Sequence, residues 1–198
     1  HEHQRKLFEN NGFPNTPHLI KTNKDRNCSL LEWIDGKSIC PNGTENIIEM
    51  CQFLEQVHHL KFQDSTDMLP LATEACLSGE ELYRQVQYRL NNLRNSDKSR
   101  LDFHQFLENE LAPTIEKIGA SCEKQYNDFK LEFSSKIDKT QQTLSLVDFG
   151  FHNMLQLSDN TIVYLDFEYF GWDDPVKLVA DTMQHPGMNL DESAKNMF

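Results

Sequence analysis

The chain has 198 residues, 38% of them hydrophobic, and a formal net charge of −12 from 31 acidic and 19 basic residues. That length supports one domain with a sizeable core, or one large domain with a fragment of another. The acidic balance argues against a nucleic-acid or anionic-membrane partner, and no stretch approaches the roughly 18 apolar residues of a membrane helix.

Residues 1–12 read as the end of a helix stopped by Asn11-Gly12. Pro14 and Pro17 punctuate an extended crossing to Leu19-Ile20. Ser29 to Ile34 predicts a buried strand, ended by Asp35-Gly36. Residues 45–61 predict a helix capped by Thr44, with Ile47, Cys51, Leu54 and Val57 on its apolar face. A second helix opens at Ser78, which forms a capping box with Glu81, and Leu82, Val86, Leu90 and Leu93 make its stripe. The pattern stays helical from about 102 to 137, with a break or kink at Pro113. From 143 the character changes. Leu144–Val147 is short and apolar, Met154–Leu157 alternates, Ser158-Asp159-Asn160 is a turn, and Thr161–Leu165 is a β-branched run ending on Asp166. The fold class expected is α+β, mainly helical with a few short strands.

The five cysteines are an odd set with no C-x-x-C pair, which argues against a disulfide scaffold or a zinc site. Reduced thiols and a cytoplasmic location are the expectation, with Cys51 and Cys122 in the core. No charged-then-apolar leader is visible, and the chain opens on His1 rather than Met, so upstream residues are expected.

One constellation carries chemistry. Asp148 and Asn153 lie five residues apart in a loop that leads into a strand, and Asp166 follows the next strand. A hairpin brings Asp166 back beside Asn153, so three oxygen-bearing side chains converge. Mg²⁺ prefers such hard oxygen donors and leaves room for phosphate oxygens. Phosphoryl transfer also needs a carboxylate to orient the attacking hydroxyl and take its proton.

The segment Val147-Asp148-Phe149-Gly150-Phe151-His152-Asn153 resembles the catalytic loop of the aminoglycoside-phosphotransferase and choline-kinase family of small-molecule kinases. Leu165-Asp166-Phe167-Glu168-Tyr169 and Gly171-Trp172-Asp173-Asp174-Pro175 resemble the segments that follow it there. The resemblance implies a protein-kinase-like fold. Residues 1–34 would be the remnant of a small lobe and its hinge strand, and 35–198 a helical large lobe with the catalytic loop and metal-binding hairpin. It implies Asp148 as catalytic base, and Asn153 and Asp166 as ligands of Mg²⁺. Main-chain groups of Glu32, Trp33 and Ile34 would bind the adenine of ATP, or the base of another nucleoside triphosphate; the alternative for that segment is a plain core strand. The acceptor would be a hydroxyl of a small molecule such as an amino sugar, sugar or amino alcohol. Glu168 and Asp173 would contact it, as would Asp174 unless it caps the next helix. Tyr83, Tyr88 and Tyr126 lie in the region expected to shape the acceptor pocket.

Asp148-Phe149-Gly150 also spells the metal-binding triplet of protein kinases, but the Asn five residues on assigns Asp148 to the catalytic loop. His152 is expected to support the loop, and His58, in the segment Val57-His58-His59-Leu60 that resembles the family's Leu-His step, to be structural. Glu2 is a candidate partner for a nucleotide-binding lysine. The departures are Leu146-Val147, where His-Gly is usual, and the front of the small lobe, whose Gly-rich loop and strand lysine do not precede the first helix. These leave a catalytically degenerate binding module as the alternative.

Overall fold

The structure, a computed structural model, describes residues 7, 15–26, 28–39 and 44–197. The expected first helix, with Glu2 and its Asn11-Gly12 stop, lies outside the described residues except for Leu7, which is helical and buried. The chain forms two compact units, one from His1–Ala75 with Gln142–Phe198 and one from Cys76–Gln141. Residues on both sides of position 34 belong to the first unit.

In the first unit, β1 (Leu19–Asn23) and β2 (Cys28–Leu31) form an antiparallel ribbon with Asn23 opposite Cys28. The expected buried strand is thus shorter and exposed: Leu30 is 60% accessible, and no third strand joins the ribbon among the described residues. Gly36 then lets the chain press on the next sheet, where a Cβ would lie 2.8 Å from Leu155 Cβ. That sheet has the order β3 (Lys37–Ser38), β5 (Met154–Gln156), β6 (Ile162–Tyr164), all antiparallel. The β5–β6 hairpin is the one expected, turned by Asn160 at φ 69°. A separate pair joins β4 (Thr143–Ser145) to β7 (Gly171–Asp173), with Leu144 opposite Trp172.

Helix α1 (Thr44–Leu60) covers this core. Its buried face is Ile47, Met50, Phe53, Val57 and Leu60, while Cys51 and Leu54 sit half-buried on the flank. The face is rotated from the expected one because the partner dictates it. Phe53 stacks on Tyr164 of β6 with ring centroids 3.6 Å apart and faces Phe149 at 6.0 Å. Full burial of each such side chain contributes roughly 1.5–3 kcal/mol. His58 ties the helix to β4, its Nδ1 lying 2.8 Å from Thr143 Oγ1. Burial pushes the His58 pKa down, with Lys61 and His59 adding to the effect, as suits a structural histidine. Among the described cysteines Cys28, Cys51, Cys76 and Cys122 form no disulfide, and Cys122, like Cys51, is only half-buried.

In the second unit, α2 (Gly79–Arg94) starts as expected: Ser78 Oγ accepts the Glu81 N–H at 3.1 Å. Glu81 reaches back one residue further than a capping box requires and accepts the Leu77 N–H at 2.8 Å. Of the expected stripe only Leu90 is buried, packing with Leu107 and Ala112. Pro113 does not break the helix. α3 (Leu101–Phe106) runs through a π-helical turn, Leu107–Leu111, into α4 (Ala112–Asp128). The wider turn lets Ala112 N–H bond Leu107 O, which makes room for a ring that cannot donate. The helix stops at 128 rather than 137, where Lys130 adopts φ 57° and Leu131 N–H caps Tyr126 O at 2.8 Å. Tyr83 packs on Gly119 and Tyr126 on Phe133.

Candidate active site

Strand β4 carries the chain from the core directly to the loop. Leu146 is 3% exposed and part of the core, and Val147 turns the chain with φ 54°. A β-branched residue rarely adopts that conformation, so the turn is strained. Phe149 and Phe151 are buried on either side of Gly150. Anchored by those two rings, the loop presents Asp148 and His152 outward, and the Asp148 side chain is 45% exposed.

Two hydrogen bonds assemble the expected acids. Asn153 Nδ2 donates to Asp148 O at 3.0 Å. Leu165 N–H donates to Asn153 O at 2.8 Å, which places Asn153 beside the residue before Asp166. Asp166 itself has φ 59° and is exposed, a conformation Asp tolerates better than most residues. With its amide nitrogen committed to Asp148 O, Asn153 has Oδ1 left as its ligand atom. An amide oxygen and a carboxylate are hard donors of the kind a magnesium ion takes.

Tyr169 gauges the field. Its phenol pKa is raised by a hydrogen bond to Glu168 and by the Glu168 charge, then by burial and by the charges of Asp166 and Asp148. Four side chains on two loops therefore feel one another, and Tyr169 belongs to the site although it carries no role in the sequence pattern.

The sequence also gives no role to His185. Its Nε2 lies 2.9 Å from Asp148 Oδ1, and His152 Nε2 lies 3.3 Å from the same oxygen. The two imidazoles stack at 4.7 Å with an interplanar angle of 14°. His185 follows α5 (Pro175–Gln184) and opens the turn His185-Pro186-Gly187-Met188. Met188 is fully buried, and its Sδ accepts the Phe151 N–H at 3.3 Å.

Solved structures similar to this chain include a spectinomycin phosphotransferase in complex with ADP and spectinomycin, at TM-score 0.57 and 14% identity over 90% of this chain. A choline kinase from Cryptosporidium parvum matches at 0.58 and 16% over 92%, and a Plasmodium vivax ethanolamine kinase at 0.55 and 13% over 98%. The chain has their protein-kinase-like fold. It spans 57%, 50% and 53% of those three proteins, in the same order. No protein-family model and no curated protein matches the sequence.

Within that kinase-like fold the other expected residues separate. Glu168 is exposed next to the site. Asp173 is not available to a substrate: it is fully buried in β7, accepts the Asp174 N–H at 2.8 Å and lies 3.4 Å from Lys177 Nζ. Burial works against the Lys177 charge, but Asp181 and Asp173 outweigh it and raise that pKa. Asp174 takes the capping role, accepting the Val176 N–H at 2.7 Å with Pro175 opening α5. At the expected hinge, Glu32 N–H is used by His18 O at 2.9 Å, and Glu32 Oε2 accepts the His18 N–H. Among the described residues, Trp33 and Ile34 make no main-chain hydrogen bond to another main-chain group, and Trp33 is 87% exposed.

Proposed function

We propose that this chain is the catalytic part of a small-molecule kinase, which moves the γ-phosphoryl of ATP or another nucleoside triphosphate to a hydroxyl of an amino sugar, sugar or amino alcohol. The observation that carries the reading is the assembly of Asp148, Asn153 and Asp166 by the Asn153–Asp148 and Leu165–Asn153 bonds. Asp148 orients the acceptor hydroxyl and takes its proton. Asn153 Oδ1 and the Asp166 carboxylate hold Mg²⁺, which when bound neutralises phosphate charge. The main chain at Trp33 and Ile34, which bonds no other main-chain group among the described residues, suits the nucleotide base, whereas the Glu32 N–H is already used by His18 O. The ADP in the spectinomycin phosphotransferase structure supports a nucleotide as donor. Glu168 and Tyr169 flank the acceptor side. The acidic balance of the chain fits a cationic acceptor and no nucleic-acid partner. Free thiols fit a cytoplasmic setting, and no described helix is long and apolar enough to cross a membrane.

A second reading, a module that binds without turnover, is favoured by the strained Val147 and by Leu146 in the core. One experiment separates the two. The complete protein is incubated with Mg-ATP and a panel of amino sugars, sugars and amino alcohols. The kinase reading expects a phosphorylated product whose rate falls on the order of 100-fold or more in Asp148→Ala. Absence of product together with absence of Mg-dependent ATP binding sinks it, and ATP binding without product favours the module.

A further inference from the structure

The Asp148 carboxylate has two imidazoles on one oxygen, and the turn after α5 determines what one of them can do. The Gly187 N–H is 3.0 Å from His185 Nδ1. A main-chain N–H can only donate, so Nδ1 must present its lone pair. The ring proton then sits on Nε2, which faces Asp148 Oδ1 at 2.9 Å. The turn therefore selects the Nε2–H tautomer of the ring. We propose that His185 is a positioning residue for Asp148: it donates Nε2–H to Oδ1, fixes the carboxylate plane, and leaves Oδ2 to accept the acceptor hydroxyl's proton. This rests on the kinase reading for its purpose, not for its geometry.

The turn is built to hold that donor still. Met188 N–H closes on His185 O at 3.0 Å, and the buried Met188 sulfur grips Phe151 N–H inside the catalytic loop. The His185 ring also lies flat on His152. Space around the turn is tight: a Cβ at Gly187 would come within 3.0 Å of His152 Nδ1 and 3.1 Å of His185 Nδ1. The residue two before Asp148 offers no such support, because Leu146 is in the core.

Asp148, His152 and His185 could also be read as a transition-metal site, since their ligand atoms lie within 4.8 Å of one another. A ligating imidazole donates its other N–H to an acceptor. At His185 the other nitrogen meets a donor, so the turn opposes a metal on Nε2.

Two measurements test the proposal. Long-range ¹H–¹⁵N ring correlations on the full chain should show His185 as the Nε2–H tautomer, with its Nε2–H signal displaced in Asp148→Ala. Steady-state kinetics should show His185→Ala lowering kcat on the order of 10- to 100-fold, with KM for both substrates within about twofold. His185→Gln, whose amide nitrogen reaches the same oxygen as a donor, should recover most of kcat. An Nδ1–H tautomer, an Ala variant with wild-type kcat, or a Gln variant no better than Ala overturns the proposal. So does stoichiometric Zn²⁺ uptake that His185→Ala abolishes. If no acceptor is phosphorylated but the Nε2–H tautomer and its Asp148 dependence are found, the kinase reading fails and the positioning contact stands.

Discussion

Val147 occupies a backbone conformation, φ 54°, that its two Cβ branches make costly. Glycine is usual at this place in the family the loop resembles, and the strain shows why. Val147→Gly removes a cost of about 1–2 kcal/mol and adds back about 0.5–1 kcal/mol of unfolded-chain entropy. The expected net is a gain of up to about 1.5 kcal/mol, read as a higher urea midpoint at unchanged slope; a lower midpoint contradicts it. Other residue-scale features were readable only in part. Asp148, Asn153 and Asp166 were legible because their spacing and the hairpin between them are local. Asp173 and Asp174 were not separable by type alone. The usable signal was Lys177, one helical turn beyond Asp173, which draws that acid inward while Asp174 turns to the helix start.

At the scale of elements, starts and stops were more legible than faces. A cap is a bond between near neighbours, so Ser78 and Glu81 could be read directly. A face depends on what comes to meet it. The α1 face rotated towards Tyr164 and Phe149, and Leu82, Val86 and Leu93 of α2 remained exposed. The α2 start also carries a pH signature. A hydrogen bond from Lys136, 2.6 Å from Glu81 Oε1, holds the Glu81 carboxyl below its ordinary 4.5; partial burial opposes this and the Leu77 N–H helps it. A depressed carboxylate contributes stability above its unfolded pKa and loses it as pH falls through the folded value. Glu81→Gln should therefore cost up to about 1 kcal/mol at neutral pH and almost nothing once the pH has fallen through the folded value and the carboxyl is protonated. The check is the wild-type minus variant difference in urea midpoint at the two pH values; a difference that persists in acid refutes the assignment.

Across the whole molecule, the hairpin and the loop that carries Asp148 were legible as short-range patterns, while His185 and Met188 were not. Their contacts to Asp148 and Phe151 cross 37 residues of chain, and no local spacing announces such a contact. The division into two units was also hidden, because the first is assembled from both ends of the sequence. The units differ in how much apolar surface each buries. The first holds a continuous core that includes the fully buried Met50, Val57, Leu144, Ile162 and Met188. The core cluster of the second is Leu90, Leu107 and Ala112, with Phe103, Leu111 and Ile115 only partly covered. At about 1.5–3 kcal/mol for each large apolar side chain, the second unit has the weaker reserve against the entropy of ordering its helices. It is expected to unfold at lower denaturant than the first. The chain supplies its own probe, because both tryptophans lie in the first unit and Trp172 is buried there, with Nε1 donating to Thr66 O at 3.1 Å. In a Trp33→Phe background, Trp172 fluorescence reports the first unit alone, while helical circular dichroism also counts α2 to α4. The dichroism should begin to fall at lower urea than the fluorescence. Superimposable curves would mean a single cooperative transition and would refute independent opening of the second unit.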